Sequence, residues 1–458
     1  MNASAGYQAL RHVVFGEEKW LEDPTLDLNA DRPPEDELQS RWFAGEFGRK
    51  FQTTTGETIE IVQFGTWNHA AGPDFSEVAL LCNGHLRTGS LELDGDARDW
   101  ERHGHAQNPS YDEVVLHVFF EAPHGETFFT RTSQHRVVPQ VLIDLHSYAL
   151  VQKVPERAEV RWGRCSFPLQ TMDEPRLLSL LRAAAQQRIE RKARRLERLA
   201  AIHGWDEALF QEIAAALGYR RNQWPMRMLA QRLPLKFLAL HKAGAEALLL
   251  GTARFISAPR EAEPADTREY LRELWQTWWK YRDEFAGISA PRWVLAGTRP
   301  VNHPQRRMAA LAQIALRWKA IRAGFEANAA ALKTSFEALS HPYWDHHYTL
   351  TSTRSPKPLA LVGTSRVADL LANIAFPRWS LRLENWWASY AIVPAILENE
   401  KSRRAAVRLL GQRPDAKRFC SLLYQQQALL QIYEDFCLQD HSDCERCQFP
   451  EQLAQWNP

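Results

Sequence analysis

The hydrophobic periodicity of this chain changes near Pro175, and that change limits the fold more than any other feature. Before it come short alternating or β-branched runs, ETIEIVQFG, FSEVALLCNG, LRTGSLELDG, EVVLHVFFEA and VVPQVLIDLH, punctuated by Gly, Asn and Pro. Strand side chains alternate between two faces, so runs of this kind read as strands. An acidic, proline-bearing loop over residues 22–36 leads into a helix starting near Glu35, within ELQSRWFAGEFGRKF, and a second short helix, DARDWERHGH, falls between the third and fourth strands. The predicted order is helix, three strands, helix, two strands. After Pro175 apolar residues recur at helical spacing, as at Leu178, Leu181, Ala185 and Ile189, and Pro- and Gly-rich breaks separate further helices. The expected class is therefore α+β. A mixed-sheet domain with flanking helices spans residues 36–150, and a mostly helical region spans 170–450, ending in a cysteine cluster at 420–447.

The chain has 458 residues, room for two or three domains of about 150 residues each. Its 56 Lys and Arg against 55 Asp and Glu give a net charge of +1, which excludes a wholesale polyelectrolyte partner, so any DNA- or RNA-binding surface has to be local. No run of about 18 apolar residues occurs, so no membrane partner is expected. The start, MNASAGYQALRHVVFGEEKW, lacks a basic, then apolar, then small-residue leader, and the expected location is cytoplasmic. The 17 Trp are read as anchors of helical cores.

The segment GPDFSEVALLCNGHLRTGSLELDGDARDWERHGHAQNPSYDEVVLH carries the chemistry. Asp74 at the start of one strand and Glu92-x-Asp94 on the next bring carboxylates to one sheet edge, with Glu92 and Asp94 on a shared face. Oxygen ligands of this type suit Mg²⁺ or Mn²⁺, which polarise a phosphoryl oxygen and activate water. His103, His105 or His117 is available to handle protons, since imidazole titrates near neutral pH. The same residues also suit a purely structural role, with Asp74 capping a turn, the acids on a wet strand face and the histidines ending a helix. His69 and the Trp67–Asn68 pair read as a supporting loop, and Tyr111 as local packing.

GPDF followed by GSLELDG, after a helix containing Glu37 and before a helix and another strand, resembles the restriction-endonuclease-like nuclease core. Pro73 and Asp74 match its proline–aspartate element and Glu92 its second acid, while Asp94 stands where that core has lysine. The resemblance implies phosphodiester hydrolysis.

At the other end, Cys437-x6-Cys444-x2-Cys447 has ligand-like spacing for Zn²⁺ or an iron–sulfur cluster. QALLQIYEDFCLQDHSDCERC resembles the cluster loop of endonuclease III-type glycosylases but lacks their fourth cysteine. Cys420, Cys165 or His441 would have to complete the shell. Arginines crowd RAAAQQRIERKARRLER, including Arg191, Arg194 and Arg195, and recur at Arg299, Arg306 and Arg307. They suit either phosphate contacts or a solvated helix face.

ELQSRWFAGEF with TTTGETIEIVQFGTWNHAAGPDF, the GSLELDGDARDWERHGHAQNPSYDEVVLHVFFE block, RIERKARRLERL and GTRPVNHPQRRMAALAQI together resemble an uncharacterised bacterial family, domain of unknown function 2851. The resemblance covers most of residues 36–450 and implies kinship and architecture without a reaction; members usually carry His at the position of Asp94. Two functions follow as expectations. One is a divalent-metal nuclease in which Asp74 and Glu92 bind the ion, Asp94 helps position it, and His103 or His105 moves protons. The other is a catalytically silent nucleic-acid-binding or scaffolding protein of the same fold.

Overall fold

The computed structural model describes residues 3–15, 33–68, 72–121, 128–145, 162–258, 264–285, 291–295, 298–395, 400–411, 413–438, 444 and 447–456. His69, His441 and most of the 22–36 loop lie outside these described residues. The chain forms two compact units. One comprises Met1–Asp31, His146–Glu197 and Thr364–Pro458, and the other Arg32–Leu145 and Arg198–Gly363. The crossing at residues 145–146 lies close to the end of the expected sheet domain. The helical part, read from the sequence as a single region, is shared between both units. Periodicity reveals which face of a helix is buried, but not what covers it.

The architecture is α+β. The second unit carries a seven-stranded mixed sheet of β1 (Lys50–Gln52), β2 (Thr58–Gln63), β3 (Thr66–Trp67), β4 (Phe75–Cys82), β5 (His85–Asp96), β6 (Val114–Glu121) and β7 (Gln140–Leu142), in the order β1-β2-β4-β5-β6-β7 with β3 against β4. The five expected strands are present. β1 and β3 are additions of three and two residues, too short to show an alternation. β2, β4 and β5 pair antiparallel, whereas β5–β6 and β6–β7 are parallel. A parallel pair needs a crossover, and here residues 97–113 supply it, with the helix Asp99–Arg102 and two 3-10 turns, His105–Gln107 and Pro109–Tyr111. β6 is buried from Val114 to Phe120, as a strand covered on both faces should be.

One irregularity orients the motif. Phe75 pairs with Leu91 and Val78 with Gly89, so β4 holds one extra residue, and Glu77 takes a left-handed φ of 55° there. In a regular strand Phe75 and Val78 would face opposite ways. The bulge lets both bury, at 0% exposure each, and so turns Asp74 to the face of Glu92.

The helix Glu35–Phe43 follows Pro34 and opens with Glu35, Asp36 and Glu37, acids that suit a helix N-terminus. Its apolar end covers the sheet, with Trp42 stacked on Phe51 (5.3 Å) and Phe43 on Phe75 (5.6 Å). Elsewhere in this unit Arg306 and Arg307 are 1% and 4% exposed. Arg306 donates to the carbonyls of Trp344, His347, Leu359 and Ala360, and Arg307 to those of Leu361 and Val301. The 341–363 stretch, without helix or strand, thereby satisfies buried carbonyls that no ladder reaches.

The helix Glu174–His203 belongs to the first unit as far as Glu197, and there contributes Arg188, bonded to Gln427 (2.8 Å) and Glu434 (2.6 Å) around the helix Leu423–Ile432. Among the described residues, no helix is long and apolar enough to cross a membrane.

Candidate metal centre

The ladder between β4 and β5 sets Asp74 beside Glu92. The Asp74 N–H donates to Glu92 Oε2 at 3.0 Å, and Asp74 Oδ2 accepts from the Leu93 N–H at 3.0 Å. Asp74 Oδ1 accepts from Gln39 Nε2 at 2.8 Å, and the same amide donates to Glu35 Oε1 at 3.2 Å. Both oxygens of Asp74 are thus engaged by N–H donors. The helix face presented to the site is Glu35 and Gln39, one turn apart. Glu37 instead pairs with Arg41 (2.6 Å). Asn68 holds the approach to Asp74, donating from its amide to Pro73 O (2.9 Å) and from its N–H to Asp74 O (2.7 Å).

Two residues along β5, Asp94 is 1% exposed and faces the crossover. Asp94 Oδ1 lies 3.4 Å from His103 Nδ1, and Asp94 Oδ2 lies 3.1 Å from His117 Nε2 and 4.0 Å from His105 Nδ1. His105 Nδ1 also approaches Glu92 Oε1 at 3.5 Å. One ligand atom from each of Asp94, His103 and His105 falls within 4.8 Å of the others. The 3.4 and 4.0 Å approaches of His103 and His105 to Asp94 fall in the range of donors around one ion with bonds near 2.1 Å, about 3 Å for neighbouring and about 4 Å for opposite donors.

The imidazoles are oriented by packing. His105 stacks on Tyr111 at 4.0 Å, and Trp100 stands against His105, Tyr111 and His117 at 5.4, 5.7 and 5.2 Å. Trp100 is fully buried and its indole N–H donates to Arg131 O at 2.9 Å. Thr130 Oγ1 accepts from Gln140 Nε2 (2.8 Å) and lies 2.6 Å from His117 Nδ1. If the threonine hydroxyl donates to Nδ1, the proton of His117 sits on Nε2 and points at Asp94, the arrangement by which an outer histidine orients a carboxylate.

The charges are held out of their ordinary state. Burial, then Glu35, pushes the Asp74 carboxyl well above its usual range, although the Leu93 and Gln39 donors oppose this. Burial, then Asp74 and Asp94, does the same to Glu92. Burial holds the His105 imidazole down at about 4 despite the pull of Asp94, so at pH 7 it is neutral, the form that ligates metal. Its buried Nδ1 has no hydrogen-bond partner, an unusual state for a buried polar atom.

Of the residues singled out from the sequence, Asp74, Glu92, Asp94, His103, His105 and His117 come together. Glu35, Gln39, Trp100, Thr130 and Gln140 belong to the same assembly without having been singled out. For Glu35 and Gln39 the available signal was their i,i+4 spacing on the helix that precedes the motif. Arg307 donates to the buried carbonyls of Leu361 and Val301, and Arg191 lies 3.4 Å from Glu434. Arg194 and Arg299 are exposed and Arg195 half-buried. Cys437, Cys444 and Cys447 line one cavity together with Cys165.

No curated protein and no solved structure matches the chain. A family model described as "Protein of unknown function (DUF2851)" matches residues 35–389, a span that contains the whole sheet and every residue of the histidine–carboxylate centre. The chain therefore belongs to that family.

Proposed function

We propose that the chain is a divalent-metal-dependent phosphodiester hydrolase acting on nucleic acid, with its centre on β5. The observation that carries this reading is the convergence of Asp94, His103 and His105 within 4.8 Å, with the buried Nδ1 of His105 making no hydrogen bond. Asp94, His103 and His105 are the ligands. Two imidazoles and a carboxylate form a donor set that Mn²⁺ accepts and that Mg²⁺, which prefers oxygen and water, does not favour. A bound ion would supply Lewis-acid polarisation of a phosphoryl oxygen and an acidified water.

The remaining groups have distinct tasks. Glu92, held protonated by burial and by Asp74, would become a carboxylate beside a bound cation and would then serve as the base for the attacking water. Asp74 is a positioning residue whose backbone N–H holds Glu92 Oε2. His117 orients Asp94. Support for phosphodiesters over other esters comes from the resemblance of GPDF and GSLELDG to the restriction-endonuclease-like core, here on a β4–β5 hairpin followed by a helical crossover.

The test uses the purified full chain with single- and double-stranded DNA and RNA, in Mn²⁺, Mg²⁺ or chelator. The expected result is cleavage supported best by Mn²⁺ and reduced at least about 100-fold in Asp94→Asn, since loss of even an outer-shell partner commonly costs about 10–100-fold. Equilibrium dialysis should show one Mn²⁺ per chain, lost in the same variant. Mn²⁺ binding without cleavage of any substrate would favour the silent nucleic-acid-binding reading. Absence of Mn²⁺ binding would remove the centre altogether.

A further inference from the structure

Three segments of the first unit meet at a cavity of about 40 Å³ lined by Cys165, Cys437, Cys444 and Cys447, with Phe436 and Phe449 beside them. Cys165 is 3% exposed and precedes the helix Ser166–Thr171. Cys437 sits in a π-helical stretch, Tyr433–Leu438, a departure from α-helix that often marks a functional position. Phe436 and Phe449 stack at 3.9 Å with planes 10° apart, giving the cavity an apolar wall.

The surrounding backbone and charges are arranged about the sulfurs. Cys444 has φ 74°, a left-handed conformation that costs a residue with a Cβ free energy and persists only where neighbours hold it. The Arg164 N–H donates to Cys444 Sγ at 3.2 Å, and its guanidinium reaches Cys447 O at 2.9 Å. A side chain at Gly163 would put a Cβ 3.1 Å from Cys165 Sγ and 3.2 Å from Arg408 O, so glycine lets the segment close onto its partner. Arg408 also faces the thiols of Cys437 and Cys444, a cation placed where several thiolates would otherwise repel one another.

We propose that Cys165, Cys437, Cys444 and Cys447 hold an iron–sulfur cluster. Four thiolates are the ordinary ligand set for such a cluster, and N–H donors and cations about the sulfurs are what tune it. Spacing separates it from zinc. Four sulfurs about 2.3 Å from one Zn²⁺ stand roughly 4 Å apart, whereas among the described residues no three of these thiols bring their sulfurs within 4.8 Å of one another. The cluster ties the end of the chain to the segment before the long helix Glu174–His203, and it stands independently of the hydrolase reading.

The test is elemental and spectroscopic analysis of the full chain purified without air. Iron and acid-labile sulfide should be present in equal amounts, with the broad visible absorbance of thiolate-to-iron charge transfer. Cys165→Ser and Cys447→Ser should each lower the iron content severalfold. Cys420→Ser should retain it, because Cys420 is absent from the cavity lining. Zinc without iron, two disulfides by thiol counting, or full iron content in Cys165→Ser would each overturn the proposal. The wild-type analysis decides the matter even if a variant fails to fold.

Discussion

The histidine–carboxylate centre and the cysteine cavity are built by opposite means. The first draws on β4, β5, β6 and the one crossover between the last two, so ladder register places Asp74, Glu92, Asp94 and His117 before any side chain acts. The second joins segments whose hydrogen-bonded residues, Arg164 and Cys444, are 280 positions apart, and among the described residues no β-ladder spans that interval. A centre on contiguous strands takes its precision from backbone hydrogen bonds and should keep its shape without an ion. A centre drawn from remote segments closes a long loop and depends far more on what it binds.

The largest effect should come from emptying each centre in turn. Treated by the loop-closure arithmetic of a cross-link, the tie across that interval is worth on the order of 5 kcal/mol, so oxidative loss of iron should lower Tm clearly. Removal of Mn²⁺ should change it little. Calorimetry of the four states checks this, and equal shifts would erase the contrast.

Trp100→Ala comes next, at about 3–5 kcal/mol for deleting a buried indole, read by urea denaturation. It should also abolish Mn²⁺ binding, because His105 and His117 both lean on this ring, while iron content stays unchanged. Mn²⁺ binding that survives would show that the ladder alone orients the imidazoles.

The third effect is pH dependence in the sheet-bearing unit. His203 is half-buried with its Nε2 2.9 Å from Phe43 O, and desolvation lowers it to about 4. A folded value below the ordinary 6.5 means that protons bind the unfolded chain more readily. The stability is full above about 6.5 and is lost as pH falls toward 4, by on the order of 3 kcal/mol. His203→Gln should flatten the fall of stability between pH 7 and 4. An unchanged slope would assign the acid sensitivity to other groups.

The legible part of the candidate centre was the part governed by short-range rules. Glu92 and Asp94 share a face because they are two apart on one strand, and DARDWERHGH follows directly, so its histidines had to lie near the end of β5. The bulge at Glu77 was not legible, since a left-handed residue in mid-strand leaves no compositional mark when it is not glycine. Thr130 and Gln140 escaped notice because hydroxyl and amide residues are common and only geometry reveals that they meet His117. The burial of Arg307 was hidden for a related reason. Charge is visible in a sequence, whereas burial of that charge against the carbonyls of Leu361 and Val301 depends on a loop some fifty residues away for the first.

By itself the amino-acid sequence determined the α+β class, the five principal strands, the helix at Glu35 and the set of carboxylates and imidazoles that meet on β5. Strand alternation and helical period are local, set within a few residues by backbone geometry. Tertiary structure alone decided the two-unit division of the helices, the choice of Cys165 over Cys420 beside the cysteine tail, and the engagement of both Asp74 oxygens by Leu93 and Gln39. Those outcomes depend on which buried surfaces and unpaired polar atoms find one another across long stretches of chain. That competition is settled by packing and hydrogen-bond satisfaction over the whole fold.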